Sequence, residues 1–119
     1  MGAGSAAVQP LDWWRPLGEQ ASPNDPCDAD LVLAAECVWL RELVDPFADT
    51  VVALLQAPKR PACVLAFRER AKEGSQTFSS LGEVLDAFAS RGVVAAERGV
   101  LDAPESRGLL TTFYELTLG

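Results

Sequence analysis

Glu36 and Trp39 end the apolar run Asp30-Leu31-Val32-Leu33-Ala34-Ala35, and they are the side chains best placed in this chain to do chemistry. An unbroken apolar run of this length, bounded by polar residues, reads as a central strand buried on both faces, the habit of parallel sheets. The acid then falls at the strand's carboxyl end. Ligands of open α/β sheets collect in the crevice outside those ends, so an acid and an aromatic delivered there suit chemistry better than packing. A carboxylate at that point can orient an ammonium group by a charge-assisted hydrogen bond. An aromatic face can hold the same group by cation–π attraction worth roughly 0.5–2 kcal/mol. Plainer roles compete: Glu36 can pair with Arg41 or Arg68 at the sheet edge, and Trp39 can be core.

The elements that must position this pair follow in order. Beyond Trp39 the period changes: Leu43, Phe47, Val51 and Leu55 recur every four residues, so Glu42 to Gln56 reads as a helix laid on a sheet. Pro46 belongs in its first turn, with Asp45 as the expected cap before it. Ala62 to Phe67 is a second continuous apolar strand, and strand, helix and strand make a parallel crossover unit. Arg68-Glu69-Arg70-Ala71-Lys72-Glu73-Gly74 leaves the sheet at the same end as Glu36. The arginines there read as a solvated face or as ion pairs. A second helix starts at Ser80, where Ser80 and Glu83 have capping-box spacing, and stops at Gly92. Its inner stripe is Leu81, Val84, Leu85 and Phe88. Val93 to Glu97 is a third strand, a loop runs through Asp102, Pro104 and Gly108, and Leu109 to Leu118 is a longer strand. With no helix between them, these last two strands form an antiparallel hairpin.

Residues 1 to 29 are rich in Pro, Gly, Ala and Ser and read as a mostly irregular arm. Trp13 and Trp14 can anchor it hydrophobically. At 119 residues the chain holds one domain at most, with enough length to bury a core unaided. A net charge of −7 argues against a nucleic-acid partner, which would need clustered Lys and Arg, and suits a basic partner better. The chain has no histidine, so Ser-His-Asp and Cys-His nucleophilic machinery is excluded and so are histidine metal sites. Cys27, Cys37 and Cys63 form no close pair and indicate neither a disulfide framework nor a zinc site; Cys37 and Cys63, in apolar strands, read as inert buried thiols. The first residues lack a basic n-region and an apolar h-region, and no apolar run can span a bilayer. The expected address is the cytoplasm or the nucleus.

The run Asp30 to Trp39, the helix start Glu42-Leu43-Val44-Asp45-Pro46-Phe47, the strand end Leu65-Ala66-Phe67-Arg68-Glu69-Arg70 and Phe78 together resemble the C-terminal half of the seven-strand protein-lysine methyltransferase-like family. Leu11-Asp12-Trp13 resembles the segment that in this family follows the third strand. The resemblance covers residues 11 to 118. It implies a partial Rossmann-like methyltransferase sheet in which residues 30 to 119 form the C-terminal half of the domain and residues 1 to 29 supply an adenine-side loop. It also implies S-adenosylmethionine as cofactor and a protein substrate presenting a lysine. Trp13 would contact adenine, Ala35 would contribute main chain at the cofactor, Trp39 would line the place where cofactor and substrate meet, and Glu36 would act on the lysine. Glu36 departs from the family's commoner aspartate and Trp39 from its commoner tyrosine, which changes reach while keeping chemical type.

Methyl transfer from a sulfonium to an amine is a direct displacement, so alignment and water exclusion can supply most of its acceleration without histidine. The glycine-rich turn of a complete nucleotide-binding sheet and its ribose-binding acid are missing; Gly2-Ala3-Gly4 neither follows a strand nor precedes a helix. Hence a second expectation stands beside the first: a catalytically inactive remnant that serves as a binding or scaffold domain, with weak or absent cofactor binding. An unrelated small α/β interaction domain sharing the strand pattern is a third. A half sheet also exposes a strand edge, so self-association is expected.

Overall fold

The computed structural model describes residues 4–35, 38, 40–68, 79–101 and 110–119. Six main elements follow one another: β1 (Leu31–Ala35), α1 (Val44–Leu55), β2 (Ala62–Arg68), α2 (Leu81–Ala89), β3 (Val93–Leu101) and β4 (Thr111–Leu118). They form a mixed α/β layer with strand order β1-β2-β4-β3. β1 and β2 run parallel, from Leu31 opposite Ala62 to Ala35 opposite Ala66, while β4 is antiparallel to both β2 and β3. The parallel crossover and the terminal antiparallel pair are those the sequence predicts, and β4 inserts between β2 and β3 to join them.

The core lies between one sheet face and the two helices. Ala34, Cys63, Leu65, Phe67 and Leu116 of the strands meet Phe47, Val51 and Leu55 of α1 and Val84 and Phe88 of α2 in one buried cluster. In β2 every second residue is buried, as the two-residue period of a strand requires when helices cover one face. Phe47 and Phe88 meet edge-on at 6.0 Å and lock the helices together. On the surface, Arg91 at the end of α2 reaches Asp49 at 2.8 Å and Asp45 at 3.2 Å on α1.

Three expectations need correction. β1 is an edge strand among the described residues, with Leu31 and Leu33 53% and 72% exposed, so it is not buried on both faces. The helices cover only the face carrying Val32 and Ala34, and no described strand pairs beyond β1. Asp45 does not cap α1. The short 3-10 turn Arg41–Leu43 feeds directly into the helix, Leu43 is already helical at the cap position, and Asp45 falls inside the first turn, where its carboxylate takes Arg91. Pro46 does lie in that turn, where its missing N–H is harmless. Finally, β3 continues past Glu97 to Leu101, because an irregularity in register between Glu97 and Gly99 lets the pairing with β4 resume.

α2 begins as predicted. The Glu83 amide donates to the Ser80 hydroxyl at 3.2 Å, and Gly92, at φ +80°, takes the left-handed conformation that closes the following turn. β4 begins at Thr111; Leu109 and the loop expected from Asp102 to Gly108 lie outside the described residues, as do the last six residues of the Arg68 to Gly74 segment and Phe78. The arm holds two short 3-10 turns, Leu17–Gln20 and Pro26–Asp28, and is otherwise irregular. Its own side chains stitch it together: Gln20 bonds Asp12 at both the amide and the carbonyl, and Gln9 bonds Asn24.

Candidate functional site

The carboxyl end of β1 leads through a short connection to α1, and that connection carries the candidate pair. Ala35 closes β1 opposite Ala66. Glu36 and Trp39 lie outside the described residues, as does Cys37. Val38 is fully buried, and its carbonyl accepts the Ser79 hydroxyl at 2.9 Å, Ser79 itself being 1% exposed. The Leu40 carbonyl accepts the Leu43 amide. Arg41 grips Glu83 with two prongs, Nε to Oε2 at 2.8 Å and Nη2 to Oε1 at 2.6 Å. Hydrogen bonding from that guanidinium, aided by its charge and by Ser80, holds the Glu83 carboxyl below its usual range. Arg68, the other cation considered for Glu36, donates to the Thr111 hydroxyl at 3.3 Å.

Trp13 is brought to the flank of β1. Its half-buried ring meets Phe47 of α1 edge-on at 4.9 Å, and its carbonyl accepts the Thr50 hydroxyl at 3.3 Å. Together with Leu11, Val32, Leu33 and Ala34 it lines an apolar hollow of about 130 Å³ between the arm, β1 and α1. Trp13 is thus the arm's anchor. Trp14, 68% exposed, is not. The hollow reaches Ala34 on β1, while Ala35 is not among its walls. An aromatic and aliphatic enclosure of this kind suits a flat ring more than a charged group.

Among the described residues neither thiol has the setting of a reactive centre. Cys63 is fully buried in β2. Burial and the neighbouring Asp25 and Asp28 raise the pKa of Cys27 and disfavour its thiolate. No helix among the described residues is long and apolar enough to cross a membrane.

Sequence reasoning missed Ser79 and the Arg41–Glu83 pair. Of the two adjacent serines only Ser80 carries a local signal, the spacing to Glu83. The partner of Ser79 is 41 residues away, a contact that exists only once β1 and β2 are paired.

Comparison with known proteins bears on what this arrangement is for. A family model described as lysine methyltransferase matches residues 2–84, from the arm through β1, α1 and β2 into α2. Protein-lysine N-methyltransferase EFM6 of Saccharomyces cerevisiae is 30% identical over 81 aligned positions, which take in 64% of this chain and 33% of that relative. The chain therefore spans about a third of the length of the curated relative it matches. It belongs to the lysine methyltransferase family.

Proposed function

We propose that this member of the lysine methyltransferase family is the C-terminal half of an S-adenosylmethionine-dependent protein-lysine N-methyltransferase domain, built on a Rossmann-like sheet. The observation that carries the reading is the position of the family match: it runs unbroken across β1, the connection holding Glu36 and Trp39, and both helix starts. The described residues suit one end of the cofactor. The apolar hollow beside Trp13 accepts a flat ring such as adenine, and the main chain at Ala35 stands at the strand end where a ligand of an open sheet would pass. Bound cofactor supplies a methyl group on a sulfonium, which is the electrophile.

The chain's own side chains would act on the substrate lysine. Glu36 orients the ammonium through a charge-assisted hydrogen bond, and Trp39 holds it by cation–π attraction and lines the meeting place. Apolar surroundings disfavour the charged amine and so favour the neutral nucleophile. Neither role needs an imidazole, in keeping with a chain that has none. The substrate is a protein, and the compartment is the cytoplasm or the nucleus.

Transfer of label from methyl-labelled S-adenosylmethionine to lysine in basic protein substrates tests this reading. It is measured on this chain and on the chain fused to the part of the yeast relative it does not span. Lysine labelling that disappears in Glu36→Gln supports it. A folded fusion that transfers no label overturns it.

A second reading is favoured by one observation: the sequence offers no glycine-rich turn to hold the polar end of the cofactor. On this reading the chain by itself is a binding or scaffold domain without catalytic power. Calorimetry showing micromolar affinity of this chain for S-adenosylmethionine would refute it. On both readings no described strand pairs with the outer side of β1, so a second copy of the chain is proposed to add there, and size-exclusion chromatography giving a monomer at all concentrations would exclude such self-association.

A further inference from the structure

Trp14 is exposed and lines a cleft that the candidate site does not use. The cleft has a volume of about 270 Å³ and opens between the turn at residues 13–17 and α1. Trp13, Pro16, Leu17 and Ala53 give it apolar walls, while Asp49 and Thr50 give it polar ones.

The turn that presents Trp14 is held by its own bonds. The Asp12 N–H donates to the buried Gln20 side-chain oxygen at 2.7 Å, and the Gln20 side-chain nitrogen donates to the Asp12 and Arg15 carbonyls at 2.9 and 3.0 Å. The Trp14 N–H donates to the Asp12 carboxylate at 2.9 Å, and the Thr50 hydroxyl ties the Trp13 carbonyl to α1 at 3.3 Å. A wall fixed in this way has little freedom left to lose on binding, so contacts made to it count toward affinity.

Volume decides the kind of occupant. Sites for whole small molecules run from roughly 300 to 1,000 Å³ and bury most of their ligand. This cleft falls short of that range, so it suits one or two side chains projecting from a larger partner. Charge decides which side chains. Asp49 accepts the Arg91 Nε at 2.8 Å, and among the described residues its carboxylate has no further partner. Arg15, the cation on the wall, stands 3.8 Å from Glu19. With Asp12 bonded to Trp14 and Asp45 sharing Arg91, carboxylates outnumber guanidiniums around the cleft, in a chain whose net charge is −7. An indole face attracts a cation, and the long stem of a lysine or arginine lies against apolar walls while its head stays at a carboxylate.

We propose that this cleft is a docking site for a basic segment of a protein partner, which seats an arginine or lysine side chain between Trp14 and Asp49. The inference does not depend on methyl transfer, since a binding or scaffold domain would use the same surface.

The test titrates the whole chain, labelled with 5-fluorotryptophan, with a synthetic peptide of alternating arginine and glycine. Its three fluorine resonances are assigned by replacing each tryptophan singly with phenylalanine. The peptide should move the Trp14 resonance to saturation, and a matched glutamine–glycine peptide should leave it in place. Trp14→Ala should weaken the affinity read by calorimetry roughly two- to thirtyfold, the loss of one cation–π contact, with the urea midpoint nearly unchanged because the ring is exposed. Asp49→Asn should also weaken it severalfold. Asp86→Asn makes the same change of charge at an exposed residue of α2 outside the cleft, and at physiological salt it should alter the affinity by less than about twofold. An unmoved Trp14 resonance overturns the proposal. Equal weakening by Asp49→Asn and Asp86→Asn also overturns it, because net charge alone would then explain the attraction. A neutral proline-rich peptide that binds as tightly as the basic one does the same, marking an aromatic groove indifferent to charge. Should Trp14→Ala not fold, the wild-type titration and the two asparagine variants decide by the same criteria.

Discussion

Replacing Trp13 by alanine should detach the arm while leaving the sheet folded. The indole is half-buried, edge-on to Phe47 at 4.9 Å, and closes the apolar hollow beside β1. A tryptophan held this way removes roughly 150 Å² of apolar surface from water. At about 25 cal/mol per Å² that is close to 4 kcal/mol, and residual compactness of the unfolded chain lowers it to about 3. The edge-on ring contact adds about 0.5–1.5 kcal/mol, so Trp13→Ala should cost roughly 3.5–4.5 kcal/mol. A domain of 119 residues has on the order of 6–18 kcal/mol to lose, so the variant should still fold. The loss should be local as well as global. The arm's own bonds, such as Asp12 N–H to Gln20 and Trp14 N–H to Asp12, can persist within it, but the ring is its main tie to α1, beside the Thr50 bond to the Trp13 carbonyl. Urea unfolding gives the global figure, and amide exchange of Asp12, Trp14 and Glu19 reports the arm. Trp13→Phe should recover more than half of the loss. A shift under about 1 kcal/mol, or arm amides as protected as before, would show that the ring does not anchor the arm and that the burial reasoning is wrong.

Ser80→Ala removes the side-chain acceptor for the Glu83 amide and should lower stability by about 1 kcal/mol in urea titrations, with the loss absent in Ser80→Asp. The Arg41 guanidinium holds the folded-state pKa of Glu83 below its ordinary 4.5, so the stabilisation it lends is full above that value and fades as pH falls through the folded-state value. Arg41→Gln should therefore flatten the dependence of the urea midpoint on pH below the ordinary carboxylate range, and an unchanged slope would show the pair to be energetically silent. Leu33→Thr, at a side chain 72% exposed, should alter stability by less than about 0.5 kcal/mol yet reduce any self-association seen by size-exclusion chromatography.

The helices were legible because their signals are local. Phe47, Val51 and Leu55 recur at helical spacing and all three are buried; Ser80 and Glu83 are three apart and do meet. The antiparallel pairing of β3 with β4 was legible from the absence of a helix between them. The place of β4 beside β2 was not, since nothing in Thr111 to Leu118 names its second neighbour. Asp45 misled because an acid before a proline has the composition of a cap, and only the preceding 3-10 turn, which depends on where β1 delivers the chain, moves the cap to Leu43. For the candidate site, the family resemblance pointed to Trp13 and Ala35, which lie against Phe47 and at the end of β1. The Ser79–Val38 bond and the Arg41–Glu83 pair escaped notice because each joins residues about 40 apart.

β1 is where composition and surroundings disagree most, and the disagreement is informative. Its five residues, Leu-Val-Leu-Ala-Ala, lack the polar alternation of a half-exposed strand, yet here Val32 and Ala34 face the helices while Leu31 and Leu33 face outward. Burying a leucine side chain is worth about 1.5–3 kcal/mol, so exposures of 53% and 72% leave roughly 2–4 kcal/mol unrealised in one short strand. Edge strands ordinarily carry charge, proline or a bulge against unwanted pairing, and β1 has none of these between Leu31 and Ala35. The same strand leads to Glu36 and Trp39, and the chain that holds it spans a third of its yeast relative. A strand composed for the interior of a sheet, placed at the edge of four and leading to the candidate reactive pair, is best satisfied when more polypeptide covers its outer side. Pairing of further polypeptide or a second copy of the chain with β1 should then raise the protection of the Leu31–Ala35 amides and the burial of Leu31 and Leu33 together.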